Sequence, residues 1–198
     1  MSILAYDELV ALVKDGCLEG VRDGAINGAS IDVHLGGEFL IEAGYLCDRD
    51  FMSVVDLGKR ESPSMIEHKL RQGDKLFMDP GEFLLANTQE IFHLPDDVSA
   101  QFLLKSSVAR AGLSHLLATW ADATWHSSTL TLELTNHLRY HKLCLEVGMP
   151  IGQMIFHRHA RVPEHASYAQ RGRYNNDQTT TAIKRGKQGI YAYYLRYR

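Results

Sequence analysis

Thr129-Leu130-Thr131-Leu132-Glu133-Leu134-Thr135 alternates polar and apolar residues without a break. A period of two belongs to an extended strand with one buried face; a helix would scatter these residues around its axis. Leu130, Leu132 and Leu134 are expected to face a core, with Thr131, Glu133 and Thr135 on the opposite side. One carboxylate in a threonine row can act on a ligand if that face lines a pocket. On a half-exposed strand it would simply be solvated.

The rest of the chain supplies partners for such a strand. Ile31, Val33 and Leu35 alternate between Gly28 and Gly36-Gly37. Phe83 to Thr88, Glu90 to Leu94, Val98 to Leu104, Lys142 to Val147 and Ile151 to Phe156 read as further strands, separated by turn residues such as Pro95-Asp96-Asp97 and Gly148-Met149-Pro150. Only Tyr6 to Lys14 has helical spacing (Leu9, Val10, Val13), with Asp15-Gly16 as its stop. Residues 44–75 are charged and poorly periodic, and read as a loop-rich insertion. Many short strands with little helix predict a sandwich or barrel. No linker or repeat divides the chain, so residues 1–198 are expected to form one domain.

Composition removes some function classes. With 45% hydrophobic and 23% charged residues the chain is globular, and a net charge of −3 argues against nucleic acid or a membrane surface as partner. Cys17, Cys47 and Cys144 form no C-x-x-C pair, which suits a reducing cytoplasm and gives no zinc framework. The first residues lack a basic leader, and no apolar run is long enough to span a bilayer.

Lys105-Ser106-Ser107-Val108-Ala109-Arg110 follows the apolar run Phe102-Leu103-Leu104. It reads as a strand running into a helical turn capped by Ser106 or Ser107. In such a turn Ser106 and Arg110 share a face, and hydroxyls, free N–H groups and two cations converge as a phosphate site requires. The alternative is an ordinary cap with a surface arginine. Asp32 and His34 share the outer face of their strand, where a structural hydrogen bond is the plainer expectation. From Tyr168 to Gln178 the chain is polar and rich in donors: a frayed end, or a flap that orders over an anionic ligand. Tyr191, Tyr193, Tyr194 and Tyr197 close the chain and suit packing on a partner.

Four stretches in order resemble the dCTP deaminase family, of the trimeric dUTPase-like superfamily. They are Gly28-Ala29-Ser30-Ile31-Asp32-Val33-His34-Leu35-Gly36, Lys105 to Leu113, Leu130 to Asn136, and Pro150-Ile151-Gly152-Gln153-Met154-Ile155-Phe156. The similarity covers most of residues 28–178 and leaves 179–198 as a tail of its own. It implies a distorted β-barrel or jelly roll with a short N-terminal helix and a flexible C-terminal flap, assembled as a homotrimer with active sites at subunit interfaces. By resemblance Lys105, Ser106, Ser107 and Arg110 are phosphate-side residues and Glu133 activates the water that attacks C4 of cytosine. His115, Ala118 and Asp122 lie in the substrate loop, and Arg173, Tyr174 and Gln178 belong to the flap. The implied reaction is dCTP to dUTP and ammonia. The alternatives are a dUTPase or bifunctional enzyme, which Asp122 keeps open, and a silent nucleotide-binding regulator.

The chemistry agrees with the residue types. Zinc deaminases need His-x-Glu with Pro-Cys-x-x-Cys, which this sequence lacks. Without a metal, a carboxylate must take the proton from water and hand it to ammonia. Magnesium would arrive with the triphosphate. The loop before the catalytic strand departs from the family pattern: Leu117 replaces a threonine, and Thr119, Thr124 and Ser127 stand at glycine positions. One extra residue separates Trp125 from Glu133, and one more precedes Gln178 in the flap. Losing glycines restricts left-handed turns, which predicts an altered base specificity, for a modified cytosine or another phosphorylation level.

Overall fold

The computed structural model describes residues 2–43 and 54–183. Its strands are β1 (Ser2–Ile3), β2 (Leu18–Glu19), β3 (Ile31–His34), β4 (Glu38–Glu42), β5 (Met65–Lys69), β6 (Lys75–Met78), β7 (Phe83–His93), β8 (Val98–Leu104), β9 (Leu113–His115), β10 (Trp120–Ala121), β11 (His126–Asn136), β12 (Leu143–Glu146) and β13 (Pro150–Arg158). Helices are short: α1 (Tyr6–Lys14), α2 (Ser106–Arg110) and α3 (Tyr168–Arg171).

All strand pairs among the described residues are antiparallel. One sheet runs β1-β13-β8-β10, with β3 also on β13; a second runs β5-β4-β7-β11-β9, with β2 also on β7; β12 and β6 form a ribbon. The core lies between the two larger sheets. Ile31, Val33, Ala100, Phe102, Met154 and Phe156 from the first meet Phe39, Leu84, Phe92, Leu132 and Leu134 from the second, all without solvent exposure. Each large apolar side chain hidden this way stabilises the fold by about 1.5–3 kcal/mol. Helix α1 packs Leu9 and Leu12 inward, carries Asp7 and Glu8 in its first turn and Lys14 in its last, and stops at Gly16 with φ +77°.

The mainly β fold, the N-terminal helix and the strand Val98–Leu104 stand as expected. Three expectations change. Phe83–Thr88 and Glu90–Leu94 are one strand, because the Thr88–Glu90 region is absorbed as an irregularity against β11. There the Thr88 hydroxyl accepts from Leu130 N–H at 3.0 Å and donates to the Glu90 carbonyl at 3.0 Å. The 44–75 insertion is not all loop: β5 pairs with β4 from Glu38↔Lys69 to Glu42↔Met65. Strand β5 is mostly exposed, so it carries little of the apolar alternation from which strands are read. Residues 44–53 lie outside the described residues, as do the tyrosines at 191–197.

The Asp32/His34 pair also separates. His34 turns into the interior, where Glu90, fully buried, accepts from its backbone N–H at 2.9 Å and bonds its Nδ1 at 2.7 Å. Asp32 instead holds Lys105 through Nζ at 2.5 Å and accepts from Asn27 at 2.9 Å.

Candidate functional site

Strand β11 carries the site because its pairing leaves one face open. Leu132 and Leu134 are fully buried in the core while Thr131 and Glu133 are turned outward, as the alternation requires. That outward face floors a cavity of about 540 Å³, a size suited to a small organic ligand. Thr129, Thr131 and Glu133 line it from β11, Phe83 and Leu85 from β7, Met65 from β5. Ala118, Trp120 and Asp122 close one side, and Tyr168, Tyr174, Asp177 and Ile183 of the C-terminal segment cover another.

Two polar atoms in this lining have no hydrogen-bond partner among the described residues: Glu133 Oε2 and Thr129 Oγ1. His115 stands behind the carboxylate, its Nε2 3.0 Å from Glu133 Oε2, close enough for an ion pair but outside hydrogen-bond alignment. Buried polar atoms left unpaired are costly in a fold and mark where a ligand supplies the missing partner. Trp120 donates its indole N–H to Asp122 Oδ1 at 2.9 Å, and so fixes one of the other two carboxylates of the cavity, the remaining one being Asp177. Burial pushes the Tyr168 hydroxyl above its ordinary range, with Tyr174 and Asp122 adding to the effect; backbone N–H groups of Tyr174 and Arg173 oppose it.

Of the residues singled out from sequence, Glu133, Asp122, Ala118 and Tyr174 share the cavity, with His115 behind it. Lys105, Ser106, Ser107, Arg110, Arg173 and Gln178 do not line it. The helix-start expectation needs correcting: Lys105 is the N-cap residue of α2, without a side-chain cap, and both serines sit inside the helix. Ser106, Ser107 and Arg110 are therefore exposed on one short turn, their side chains not spent on capping. Lys105 is partly engaged by Asp32.

Sequence reasoning missed Thr129, Tyr168, Phe83, Leu85 and Met65 as lining residues. Thr129 belongs to the polar row already identified and was legible there; the others come together only through the β4–β5–β7 pairing. The loop departures have a different outcome from that expected. Leu117, Thr124 and Ser127 all adopt left-handed backbone, with φ +62°, +69° and +51°. The turns that glycine would favour are thus retained at 124 and 127, at a strain of about 1–2 kcal/mol each. Leu117 is 84% exposed and is not among the residues that line the cavity.

Among the described residues no three His, Cys, Asp or Glu side chains converge to hold a metal. No helix there is long and apolar enough to cross a membrane.

A dCTP deaminase-like family model matches residues 3–159. A dCTP deaminase, dUMP-forming, from Methanoculleus marisnigri is 33% identical over 161 residues, 80% of each chain. One of the same name from Streptomyces coelicolor is 35% identical over 168 residues, 82% of this chain and 83% of its own. The crystal structure of 2'-deoxycytidine 5'-triphosphate deaminase from Agrobacterium tumefaciens superposes with a TM-score of 0.60 at 22% identity, over 83% of this chain and 49% of that one. This chain thus spans about half the length of that solved protein, and the superposition shows the shared fold. On the family match and the curated relatives together, the chain belongs to the dCTP deaminase-like family.

Proposed function

We propose that this protein is a dCTP deaminase that carries its substrate on to dUMP, with Glu133 as the general acid and base. The carrying observation is the Glu133 carboxylate: it faces a largely apolar cavity, one oxygen lacks a hydrogen-bond partner, and His115 backs it at 3.0 Å. In this reading Glu133 takes a proton from water as the oxygen adds to C4 of cytosine. It then returns a proton to the amino group, and ammonia leaves. The family resemblance by itself implies dUTP as the product. The relatives' printed name ends at dUMP, so we replace that product: a second water cleaves the triphosphate, giving dUMP and pyrophosphate. Asp122, fixed by Trp120 in the same cavity, is the group we assign to that step.

The phosphate-side turn stands apart from the cavity of its own chain. We therefore read α2 as serving a neighbouring subunit, with Ser106, Ser107 and Arg110 holding the triphosphate of a site whose Glu133 comes from another copy. A homotrimer closed by one repeated interface has this property. Arg173 and Gln178, exposed at the flap, are assigned to the same phosphates. Magnesium enters as the counter-ion of the nucleotide rather than in a protein cage. Because the left-handed turns at Thr124 and Ser127 persist and Leu117 stays outside the lining, we take plain dCTP as the substrate in place of a modified cytosine. We also read residues 1–198 as one domain.

The test is product identification by mass after incubation with dCTP and Mg²⁺, and separately with dUTP or 5-methyl-dCTP. The expected result is dUMP, pyrophosphate and ammonia from dCTP. Accumulating dUTP would remove the second step. Turnover of the methylated nucleotide alone would restore the altered-specificity reading, and no turnover of any would leave a binding protein.

A further inference from the structure

The segment that covers the cavity is tied down at one particular place. The Tyr174 carbonyl accepts from the Trp125 indole N–H at 2.9 Å and from the Ser128 hydroxyl at 2.7 Å. The same hydroxyl accepts from Asp177 N–H at 3.1 Å. Backbone groups on either side complete the seam: His126 N–H donates to Asn175 Oδ1 at 2.8 Å, Asn176 N–H to the His126 carbonyl at 3.0 Å, and Thr129 N–H to the Asp177 carbonyl at 3.0 Å. Asn175 also reaches back to the Tyr168 carbonyl at 3.0 Å.

What makes the seam possible is an irregularity in β11. Its pairing with β7 jumps between His126 and Ser128, so Ser127 is the unpaired residue of a bulge and takes φ +51°. A bulge bends its strand and re-aims the next side chain. Here it seats Ser128 with no solvent exposure, facing the flap. Asn176, also left-handed at φ +56°, gives the covering segment the matching turn.

We propose that Ser128 is a positioning residue: through its hydroxyl it seats Tyr174 and Asp177, both lining the cavity, and so presets the shape of the substrate pocket. These bonds join groups of one chain and need no ligand atom. Ser128 does not touch the reacting atoms; it acts through the two residues it holds. The kinetic half of the test rests on the dCTP reading given above, and the proteolytic half does not.

The variants are Ser128→Ala and Asn175→Ala, the latter on the covering segment, where it leaves the core untouched. Trypsin cleavage after the exposed Arg171 and Arg173 is followed without nucleotide, and KM and kcat are measured with dCTP. Ser128→Ala removes the two bonds to the covering segment and a third to the His126 carbonyl at 2.9 Å, and Asn175→Ala removes two; either loss should speed cleavage by about tenfold and raise KM by about tenfold, with kcat within about threefold of wild type. Unchanged cleavage and unchanged KM in variants that melt like wild type overturn the proposal, as does a fall in kcat with KM constant. If Ser128→Ala fails to fold, Ser128→Cys, which keeps the volume and replaces the hydroxyl by a weak donor, decides in the same way. If the wild-type protein leaves dCTP intact, the functional reading falls and the trypsin comparison still decides the seat.

Discussion

If α2 of one subunit serves the Glu133 of another, two dead variants should revive each other. Arg110→Ala removes an exposed cation of α2, and Glu133→Gln removes the carboxylate of the cavity; neither residue contacts the other within one chain, since α2 does not line that cavity. In a ring closed by one repeated heterologous interface, each site draws Glu133 from one copy and Arg110 from the next. On random mixing at equal amounts, the first copy supplies a sound Glu133 in about half of cases and the second a sound Arg110 in about half, so about one quarter of sites are whole. The assay mixes the purified variants under conditions where native mass spectrometry shows exchanged rings, and measures ammonia release per subunit. Recovery to about one quarter of wild-type kcat is expected, against a residual of about 1% or less for Glu133→Gln alone. Exchanged rings with no recovery above the separate residuals would refute the shared site and return α2 to its own chain's chemistry.

Other outcomes follow from single contacts. Glu133→Gln alone should lower kcat by about 10²–10⁴ while leaving the Kd for dCTP by calorimetry within about threefold; parallel loss of binding would make Glu133 a binding group. Glu90 is fully buried and accepts two bonds from His34, so Glu90→Leu should cost about 3–5 kcal/mol in urea unfolding, and a loss under about 1 kcal/mol would contradict this. Leu117 is exposed at φ +62°. Leu117→Gly relieves about 1–2 kcal/mol of strain against an entropic cost of about 0.5–1 kcal/mol, so Tm should rise by about 1–4 °C; a fall would show that this loop is not strained. Burial raises Tyr168 above its ordinary 10.0, so the fold favours the neutral phenol. Its contribution is present below that value and lost as pH rises through the higher folded one. Wild type should therefore lose stability relative to Tyr168→Phe above about pH 10 in paired denaturant titrations, and parallel curves would exclude the effect.

How much of this was legible in the sequence depends on where each residue finds its partners. Strand β11, strand β8 and helix α1 were readable because their alternation or helical spacing is strong and local; Leu132 and Leu134 are buried as expected, whereas Leu130, beside the register shift, is half-buried at the cavity, and Leu12 rather than Val10 or Val13 joins Leu9 in the core. The β4–β5 pair was not, because β5 is mostly exposed, and an edge strand without a buried face leaves little period in its sequence. That omission carried over to the site: Met65, Phe83 and Leu85 become neighbours of Glu133 through pairings such as Glu133↔Leu85 and Leu40↔Leu85, which no local pattern encodes. The left-handed turns without glycine have another origin. Propensity states what a backbone angle costs, and Thr124 and Ser127 keep the angle because their surroundings hold it: Thr124 Oγ1 accepts from Ala169 N–H at 3.0 Å, and the Ser127 hydroxyl bonds His126 Nδ1 at 2.7 Å. Strain persists where neighbours over-determine it. These neighbours are the covering segment and the strand beneath it, so the left-handed turns at Thr124 and Ser127 sit at the seam between flap and cavity. The serine doublet was readable as a cluster of hydroxyls but not as geometry: with Lys105 as N-cap, Ser106 and Ser107 lie on an exposed turn apart from the cavity, which is why the phosphate role proposed for them calls on a second subunit.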